Sequence, residues 1–429
     1  MQLLRPGDRG VYVQYLTLAL IRSGYWETIS DSFDDNLKSA VIAFQNDNNL
    51  TPDGIVGDAT WQALMPYLSG YRTVTATDGD SAEIIARRYN TSVQAILTAN
   101  PGIGETIAPG TSVIVPLRFD AVPTNVDYTY ELTAIVTDGL LARYPFIQKG
   151  SAGRSIMGRD LIYIEIGEGN REVFFNASHH ANEWITTPVV LKFAEDYARA
   201  YAYGASIYNT DAAKLYGEKK LYIMPLVNPD GVDLVNGAVT DPYFVNLTRS
   251  ISDDYPQIPY PDGWKANIAG TDLNLNYPAG WLKARENKFN LGFISPAPRD
   301  YVGDTPLSAV ESRAVYDFTL NHNFVLTVSY HTQGNVIYWK YADFEPERSR
   351  EIADALATAS GYELSLTPPE SAYAGYKDWF ISYYNLPGYT VEVGRGTNPL
   401  PISQFDGIYN SNLPLMATAL DLAKIIFSL

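Results

Sequence analysis

Strand-like and helix-like segments alternate over the C-terminal part of the chain, after residue 127. The candidate strands are short runs rich in β-branched and aromatic residues, at 160–166, 172–176, 220–225, 325–329 and 388–392. Alternation of this kind places helices on both faces of a sheet, and it predicts an α/β domain with a mixed or largely parallel central sheet. Functional sites in such sheets form at the carboxyl ends of the strands. The polar residues that follow these strands are therefore the first candidates for a site.

Four of those polar side chains have the chemistry of a metal site. His180 and Glu183 follow one candidate strand, His331 follows another, and Glu392 ends the last. Two imidazoles and a carboxylate can hold a zinc ion and leave one position open to water, and a second carboxylate can then accept a proton from that water. The His-x-x-Glu spacing alone is equally compatible with a buried structural histidine or an ion pair on a helix. The surrounding segments decide between these interpretations.

The composition limits both the metal ligands and the partners. The chain contains no cysteine, so any metal must be held by His, Asp or Glu. Its formal net charge of −17 argues against binding to nucleic acid or to an anionic membrane. It has no run of about 18 apolar residues, so we expect no membrane span. The amino terminus lacks the apolar region of a signal peptide, which fits either a cytoplasmic chain or a mature chain whose leader was removed.

Residues 1–69 form a first block with three candidate helices and a turn-rich segment at 50–57. This block resembles the three-helix peptidoglycan-binding domain that is attached to many wall hydrolases. The resemblance implies binding to the bacterial cell wall, and a generic helical bundle is the alternative. The matching residues are Gly10, Val13-Gln14, Phe33-Asp34, Ala40-Val41, Phe44-Gln45, Asp53-Gly54, Gly57 and Thr60-Trp61.

Residues 70–118 form a second block, in which a strand, two helices and a second strand follow one another. This β-α-α-β order resembles a LysM module, and the resemblance implies binding to N-acetylglucosamine-containing glycans such as peptidoglycan strands. Residues 118–127 are predicted to be a linker. The residues that carry the resemblance are Gly79-Asp80-Ser81, Ile85-Ala86, Tyr89, Thr91, Ile96, Ala99-Asn100-Pro101, Ile107, Pro109-Gly110 and Val115-Pro116.

Residues 126–429 resemble the zinc carboxypeptidases. The matching segments occur in the family's order and are 174–187, 227–231, 270–276, 298–311, 328–331 and 390–393. The resemblance implies one Zn²⁺ per chain, held by His180, Glu183 and His331. It also implies that Glu392 accepts a proton from the attacking water and delivers it to the leaving amine. The chain as a whole is thus predicted to be a multidomain metallopeptidase.

The sequence departs from the family pattern at the residues that bind charge. The position at which relatives carry an oxyanion-stabilising arginine corresponds here to uncharged Ile268 or Ala269, and Lys265 is the nearest cation. We predict that Lys265 takes this role, and a solvated loop lysine is the alternative. Exopeptidases of the family grip the substrate's terminal carboxylate with an Asn-Arg pair. Here Asn274 is followed by Leu275, so a conventional C-terminal carboxylate should bind poorly.

A second departure suggests a different anion in the substrate. The residue before Asp378-Trp379 lines the family's specificity pocket, and here it is Lys377, which predicts attraction of a carboxylate. Meso-diaminopimelate, a cross-linking residue of many bacterial walls, carries a carboxylate on its side chain. With the two glycan-binding modules, the chain resembles the γ-D-glutamyl-L-diamino acid endopeptidases. Arg395 and Tyr373 are further candidates for substrate binding.

Three functions remain open at this point. The first is hydrolysis of the γ-D-glutamyl–meso-diaminopimelate bond in peptidoglycan stem peptides. The second is an ordinary metallocarboxypeptidase that acts on proteins, and the third is a wall-binding protein without activity. The sequence does not decide between endopeptidase and carboxypeptidase action, between diaminopimelate and lysine, or between oligomeric states. We expect a bacterial protein that is located in the cytoplasm of a sporulating cell or at the cell wall.

Overall fold

The computed structural model describes residues 1–104 and 106–424, and these residues form two compact units. One unit comprises Met1–Asp127 with Glu131–Gln148, and the other comprises Tyr128–Tyr130 with the chain from Lys149 onward. The domain boundaries at 1–69, 70–118 and 126–429 stay predictions. No helix within the described ranges is both long and apolar enough to cross a membrane.

The first unit begins with the helices α1 (Val11–Ser23), α2 (Asp35–Asp47) and α3 (Asp58–Ser69). The side chain of Asp34 caps α2 by accepting a hydrogen bond from the Leu37 backbone at 2.8 Å. Between α2 and α3, the buried amide of Gln45 holds the turn, because it donates to the Ile55 carbonyl and accepts from the Gly54 backbone, both at 2.9 Å. The predicted three-helix architecture is confirmed.

The next elements are β1 (Tyr71–Thr75), α4 (Ala82–Arg88), α5 (Val93–Ala99) and β2 (Ser112–Pro116). The two strands pair antiparallel, and a small core of Ile85, Ile96 and Val113 lies beneath them. The predicted β-α-α-β order is confirmed. Helix α6 (Tyr130–Arg143) belongs to this unit from Glu131 onward.

The second unit is built on a mixed sheet with helices between its strands. Its described strands join in the order β11-β10-β12-β9-β5-β8-β4-β3, and a separate short hairpin is made of β6 and β7. The strands are β3 (Gln148–Arg154), β4 (Asp160–Ile166), β5 (Arg171–Ala177), β6 (Ser206–Ile207), β7 (Thr210–Asp211), β8 (Lys219–Met224), β9 (Phe324–His331), β10 (Val336–Tyr338), β11 (Glu363–Ser365) and β12 (Gly388–Glu392). The helices are α7 (Thr186–Ala202), α8 (Ala212–Glu218), α9 (Pro229–Val235), α10 (Pro242–Asp253), α11 (Trp281–Asn290), α12 (Val310–Leu320), α13 (Ser349–Ser360), α14 (Tyr376–Tyr384) and α15 (Phe405–Leu422).

The strands at the centre of this sheet run parallel. Strand β9 pairs parallel with both β12 and β5, and β5 pairs parallel with β8. Strands of this kind are covered on both faces, which explains why β5 and β9 are buried along most of their length. The predicted α/β class with a mixed central sheet is confirmed.

The register of the central strands brings their carboxyl ends to one edge. Glu392, the last residue of β12, lies opposite His331, the last residue of β9. Tyr330, one residue earlier in β9, lies opposite Ala177 at the end of β5. Side chains that follow these three strands therefore meet at the same edge of the sheet.

Candidate metal centre

Three side chains that end or follow strands β5 and β9 converge at this edge. The Nδ1 atom of His331 lies 2.9 Å from Oε2 of Glu183, and Nδ1 of His180 lies 3.0 Å from Oε1 of the same carboxylate. The two Nδ1 atoms are 3.3 Å apart. One donor atom from each of the three residues lies within 4.8 Å of the others. Two imidazole nitrogens and a carboxylate that face a common point are the donor set of a zinc site.

The chain between β5 and α7 brings Glu183 back beside His180. Ala181–Glu183 forms a single 3₁₀ turn, in which the Glu183 backbone donates to the His180 carbonyl at 3.2 Å. Ser178 begins the departure from the strand with φ of 54°, and its hydroxyl lies 2.9 Å from the Thr186 hydroxyl. Because of this turn, the side chains of His180 and Glu183, three residues apart, face the same point.

Asp272 orients the first histidine. Its Oδ1 lies 3.0 Å from Nε2 of His180, and a carboxylate on one ring nitrogen leaves the other nitrogen free to bind a metal. Burial alone would lower the pKa of His180, but the carboxylates of Glu183 and Asp272 outweigh burial and raise it to about 9. Sequence reasoning did not select Asp272, although it lies inside the matching segment at 270–276. The available signal was its position in that segment.

Glu392 and Lys265 also lie at this cluster. Burial and then the neighbouring Glu183 carboxylate raise the pKa of Glu392 to about 8. The ammonium of Lys265 lies 2.7 Å from Oε1 of Glu183. Its loop is fixed, because the Lys265 carbonyl accepts from the Ala181 backbone at 3.0 Å. The structure thus places both predicted catalytic residues beside the predicted ligands, and their roles stay predictions.

The residues present fit a divalent cation. Glu183 and Glu392 repel one another, and a cation between the three donors would relieve that repulsion. Two of the three donors are imidazole nitrogens, which favours zinc over the oxygen-bound ions calcium and magnesium. His180, Glu183 and His331 are therefore the residues that would hold the ion.

Two cavities open beside this cluster. Both are lined by His180, Lys265, Arg299, Tyr338 and Glu392. The first cavity, on the side of α14, also contains the predicted substrate-binding residues Asn274 and Lys377, together with Leu275. The second is also lined by residues of the loops at 257–263 and 396–399.

Lys377 does not present an isolated charge to the first cavity. Its ammonium lies 2.5 Å from Oδ1 of Asp378 and donates to the Lys340 carbonyl at 2.9 Å. Asp378 is also buried and lines the same cavity. Asn274 uses its amide oxygen to accept a hydrogen bond from the Tyr376 backbone at 3.0 Å. The structure therefore places Lys377 in this cavity as one partner of a buried ion pair, and its role in attracting a substrate carboxylate stays a prediction.

Two predicted substrate-binding residues lie away from the two cavities. Arg395 follows Gly394, whose φ of 71° turns the chain, and it lines a separate surface cavity with Gln404. Tyr373 packs in an apolar cluster with Leu275 and Trp281, and it is not among the described residues that line either cavity at the metal centre. The structure therefore does not place Arg395 or Tyr373 with the predicted ligands, because a backbone turn and apolar packing direct them elsewhere.

Comparison with known proteins agrees with this geometry. A model of the zinc carboxypeptidase family matches residues 134–414, a model of a putative peptidoglycan binding domain matches residues 9–64, and a LysM model matches residues 74–116. The gamma-D-glutamyl-L-diamino acid endopeptidase 1 of Lysinibacillus sphaericus is 41% identical over 299 residues, which cover 69% of this chain and 72% of that protein.

More distant relatives share the peptidase part. Carboxypeptidase B of Bos taurus is 26% identical over 279 residues, covering 60% of this chain and 61% of that protein. The solved structure of bovine thrombin-activatable fibrinolysis inhibitor, in complex with tick carboxypeptidase inhibitor, has the same fold. Its TM-score is 0.53 at 20% identity, with coverage of 70% of this chain and 97% of that one. This chain belongs to the zinc carboxypeptidase family of metallopeptidases, and it carries a peptidoglycan-binding domain and a LysM domain ahead of the peptidase.

Proposed function

We propose that this peptidase hydrolyses the γ-D-glutamyl–meso-diaminopimelate bond of bacterial peptidoglycan stem peptides. The observation that carries the proposal is the content of the first cavity. Apolar Leu275 stands there where the family's exopeptidases have an arginine, and the Lys377–Asp378 ion pair lies in the same cavity. The name of the Lysinibacillus relative, a gamma-D-glutamyl-L-diamino acid endopeptidase that is 41% identical, supports the same substrate class.

The buried ion pair suits the side chain of meso-diaminopimelate. That side chain ends in an ammonium and a carboxylate on one carbon, so it can place its carboxylate near Lys377 and its ammonium near Asp378. A lysine side chain has the ammonium only and would leave Lys377 without a new partner. Because the ammonium of a bound lysine would then lie close to the Lys377 ammonium with no second carboxylate to offset their repulsion, we propose a preference for diaminopimelate over lysine.

The chain's own residues supply the proton transfers. A zinc ion held by His180, Glu183 and His331 would supply a Lewis acid that acidifies water and polarises the scissile carbonyl. Glu392, which lines both cavities beside the three ligands and is not one of them, accepts the proton of the attacking water and passes it to the leaving amine. Lys265 contributes positive charge near the oxygen on which negative charge develops. Asp272 keeps the His180 ring in the orientation in which Nδ1 faces Glu183.

The two N-terminal modules support action on the cell wall. Both family models describe glycan- or wall-binding domains, which indicates association with peptidoglycan in bacteria. We propose that these modules hold the peptidase on glycan strands while it cuts the stem peptides. We also propose that the enzyme works either in a sporulating cell or at the wall after export.

The test is mass spectrometry of a muropeptide digest. The full chain is incubated with disaccharide tripeptides and tetrapeptides, with and without a chelator, and with zinc added back. We expect cleavage between D-glutamate and diaminopimelate, lost with the chelator and restored by zinc. The products from tripeptides and tetrapeptides separate carboxypeptidase from endopeptidase action. Release of C-terminal amino acids from unmodified proteins, with muropeptides left intact, would overturn the proposal.

A further inference from the structure

Arg299 lies at the metal centre, and its two terminal nitrogens have no protein acceptor among the residues that the structure describes. It lines both cavities, next to His180 and Glu392, and its side chain is 41% exposed. Its Nε donates to Oδ2 of Asp300 at 2.7 Å. Among the described residues, none accepts a hydrogen bond from its two terminal nitrogens. A guanidinium with both terminal nitrogens free is a fork for a carboxylate.

The structure holds this fork in a fixed position. The carboxylate of Asp300 lies between Arg299 and the buried ammonium of Lys288, which is 2.5 Å from Oδ1. The Asp300 backbone donates to Oδ2 of Asp272 at 3.1 Å, and Asp272 is the residue that orients His180. A continuous chain of hydrogen bonds therefore relates Arg299 to the predicted metal ligands.

The preceding residue is locked as well. The Pro298 carbonyl accepts hydrogen bonds from the backbones of Lys265 and Ala266, at 2.7 and 2.9 Å. This places Arg299 on a rigid support beside the loop that carries Lys265. The hydrogen bond from Nε to Asp300 restrains the side chain as well, so binding a ligand costs it less conformational entropy.

The lysines that line the two cavities are already engaged. Within the part of the chain that the structure describes, Lys265 faces Glu183 at 2.7 Å, Lys288 faces Asp300 at 2.5 Å and Lys377 faces Asp378 at 2.5 Å. Arg299 also contacts an acid, but through Nε only. A substrate anion that enters either cavity therefore meets the free donors of Arg299 without first breaking an ion pair.

We propose that Arg299 determines specificity by binding a substrate carboxylate close to the scissile bond. The inference rests on the proposed function, because the proposed substrate carries two such groups. A γ-linked glutamyl residue keeps its α-carboxylate three carbons from the scissile carbonyl. The leaving diaminopimelate has a second carboxylate one carbon from the scissile nitrogen when it is C-terminal. Exopeptidases of the family have a carboxylate-binding arginine at the position of Leu275. In this chain Arg299, from another segment, takes over that role.

The experiment combines substitutions in Arg299 with amidation of the substrate. Wild type, Arg299→Gln and Arg299→Lys are loaded with zinc and assayed on L-alanyl-γ-D-glutamyl-meso-diaminopimelate. They are also assayed on two analogues, one amidated at the glutamyl α-carboxylate and one at the diaminopimelate carboxylate next to the scissile nitrogen. The matched control is Arg350→Gln, since Arg350 is exposed and pairs with Asp354 within one helix.

We expect Arg299→Gln to lower kcat/KM on the parent tripeptide by about 10- to 100-fold, the range of a charge-assisted hydrogen bond. The same substitution should change kcat/KM less than about threefold on the one analogue that lacks the bound carboxylate. That analogue identifies which carboxylate Arg299 holds. Arg299→Lys should recover part of the loss, because it keeps the charge but not the fork. Arg350→Gln should behave as wild type on all three substrates.

Two results would overturn the inference. One is wild-type kcat/KM for Arg299→Gln on the parent tripeptide. The other is an equal loss on all three substrates, which would assign Arg299 a purely structural role. Zinc content and the midpoint of thermal unfolding are measured for each variant, and Arg299→Lys decides the question if the glutamine variant does not fold. If wild type cuts none of the three, the proposed function fails. Calorimetric binding of the same peptides to Glu392→Gln, with and without the Arg299 substitution, then judges the inference separately.

Discussion

Glu311 allows a direct measurement of how a buried carboxyl group affects the stability of this fold. It lies in α12 with no exposed surface, where Oε2 accepts from Nδ2 of Asn267 at 2.9 Å. The Ile156 backbone donates a longer hydrogen bond of 3.3 Å to Oε1. Burial is the main cause that raises the pKa of Glu311 from 4.5 to about 7, the charge of Asp230 adds to it, and the Asn267 hydrogen bond opposes it.

The direction of the pH effect follows from proton binding. Between pH 4.5 and about 7 the folded chain keeps a proton on Glu311 that the unfolded chain has released, so the stability contribution is lost as the pH rises through this window. One pKa unit corresponds to about 1.4 kcal/mol, so the full effect is about 3 kcal/mol above both pKa values. Between pH 5 and pH 8 we expect a loss of about 2 to 3 kcal/mol.

Glu311→Gln removes this titration and keeps the shape of the side chain. The assay is urea unfolding of the full chain at pH 5 and pH 8, with equal zinc loading, for wild type and for the variant. The free energy of unfolding of wild type should fall by about 2 to 3 kcal/mol more than that of Glu311→Gln. Glu286→Gln on the surface of α11 is the control and should follow wild type, because Glu286 is exposed. Equal losses for wild type and Glu311→Gln would show that Glu311 ionises without penalty, and would refute the reasoning.

Three further predictions concern the metal centre and the modules. Glu392→Gln should lower kcat by about 10²- to 10⁴-fold at unchanged zinc content, because the variant lacks the proton acceptor. A loss of bound zinc in this variant would instead identify Glu392 as a ligand. Asp272→Asn should weaken zinc binding about 10- to 100-fold, because the amide cannot hold the His180 ring as a carboxylate does. Competition with a chromogenic chelator measures the affinity, and an unchanged zinc affinity would contradict the orienting role of Asp272. Soluble chitin oligomers should compete for the glycan-binding modules and inhibit hydrolysis of sacculi but not of a soluble tripeptide, since tethering can raise the local concentration about 10²-fold. Equal inhibition of both reactions would contradict a role of the modules in tethering.

The fold could be predicted to a large extent because its signals are local. Turn residues and short helical periods outline the first 118 residues, and β5 and β9 are recognisable as continuous apolar runs. Such patterns reflect burial of neighbouring residues along one segment, so they need no knowledge of the rest of the chain. The role of α6 was not predictable in this way, because its grouping with the first unit depends on contacts between distant segments.

The candidate site also combines features that local sequence signals predict with features that depend on contacts between distant segments. The ends of the strands point to His180, Glu183, His331 and Glu392, and parallel pairing in register brings strand ends to one edge. Lys377 was predicted to attract a carboxylate, but the sequence did not indicate that its ammonium lies 2.5 Å from Asp378, because that contact depends on how α14 packs.

By itself, the sequence determined the class of fold, the family resemblance and the residue types available for a metal, since each depends on spacing along the chain and on which side chains exist. Only the tertiary structure decided which charges neutralise one another. It paired Asp272 with His180, left the fork of Arg299 free between two cavities and turned Arg395 away after Gly394. The physical reason is that electrostatic and hydrogen-bond interactions act over a few ångströms in space. Residues such as Asp272 and His180, 92 positions apart in the chain, meet only once the sheet has formed.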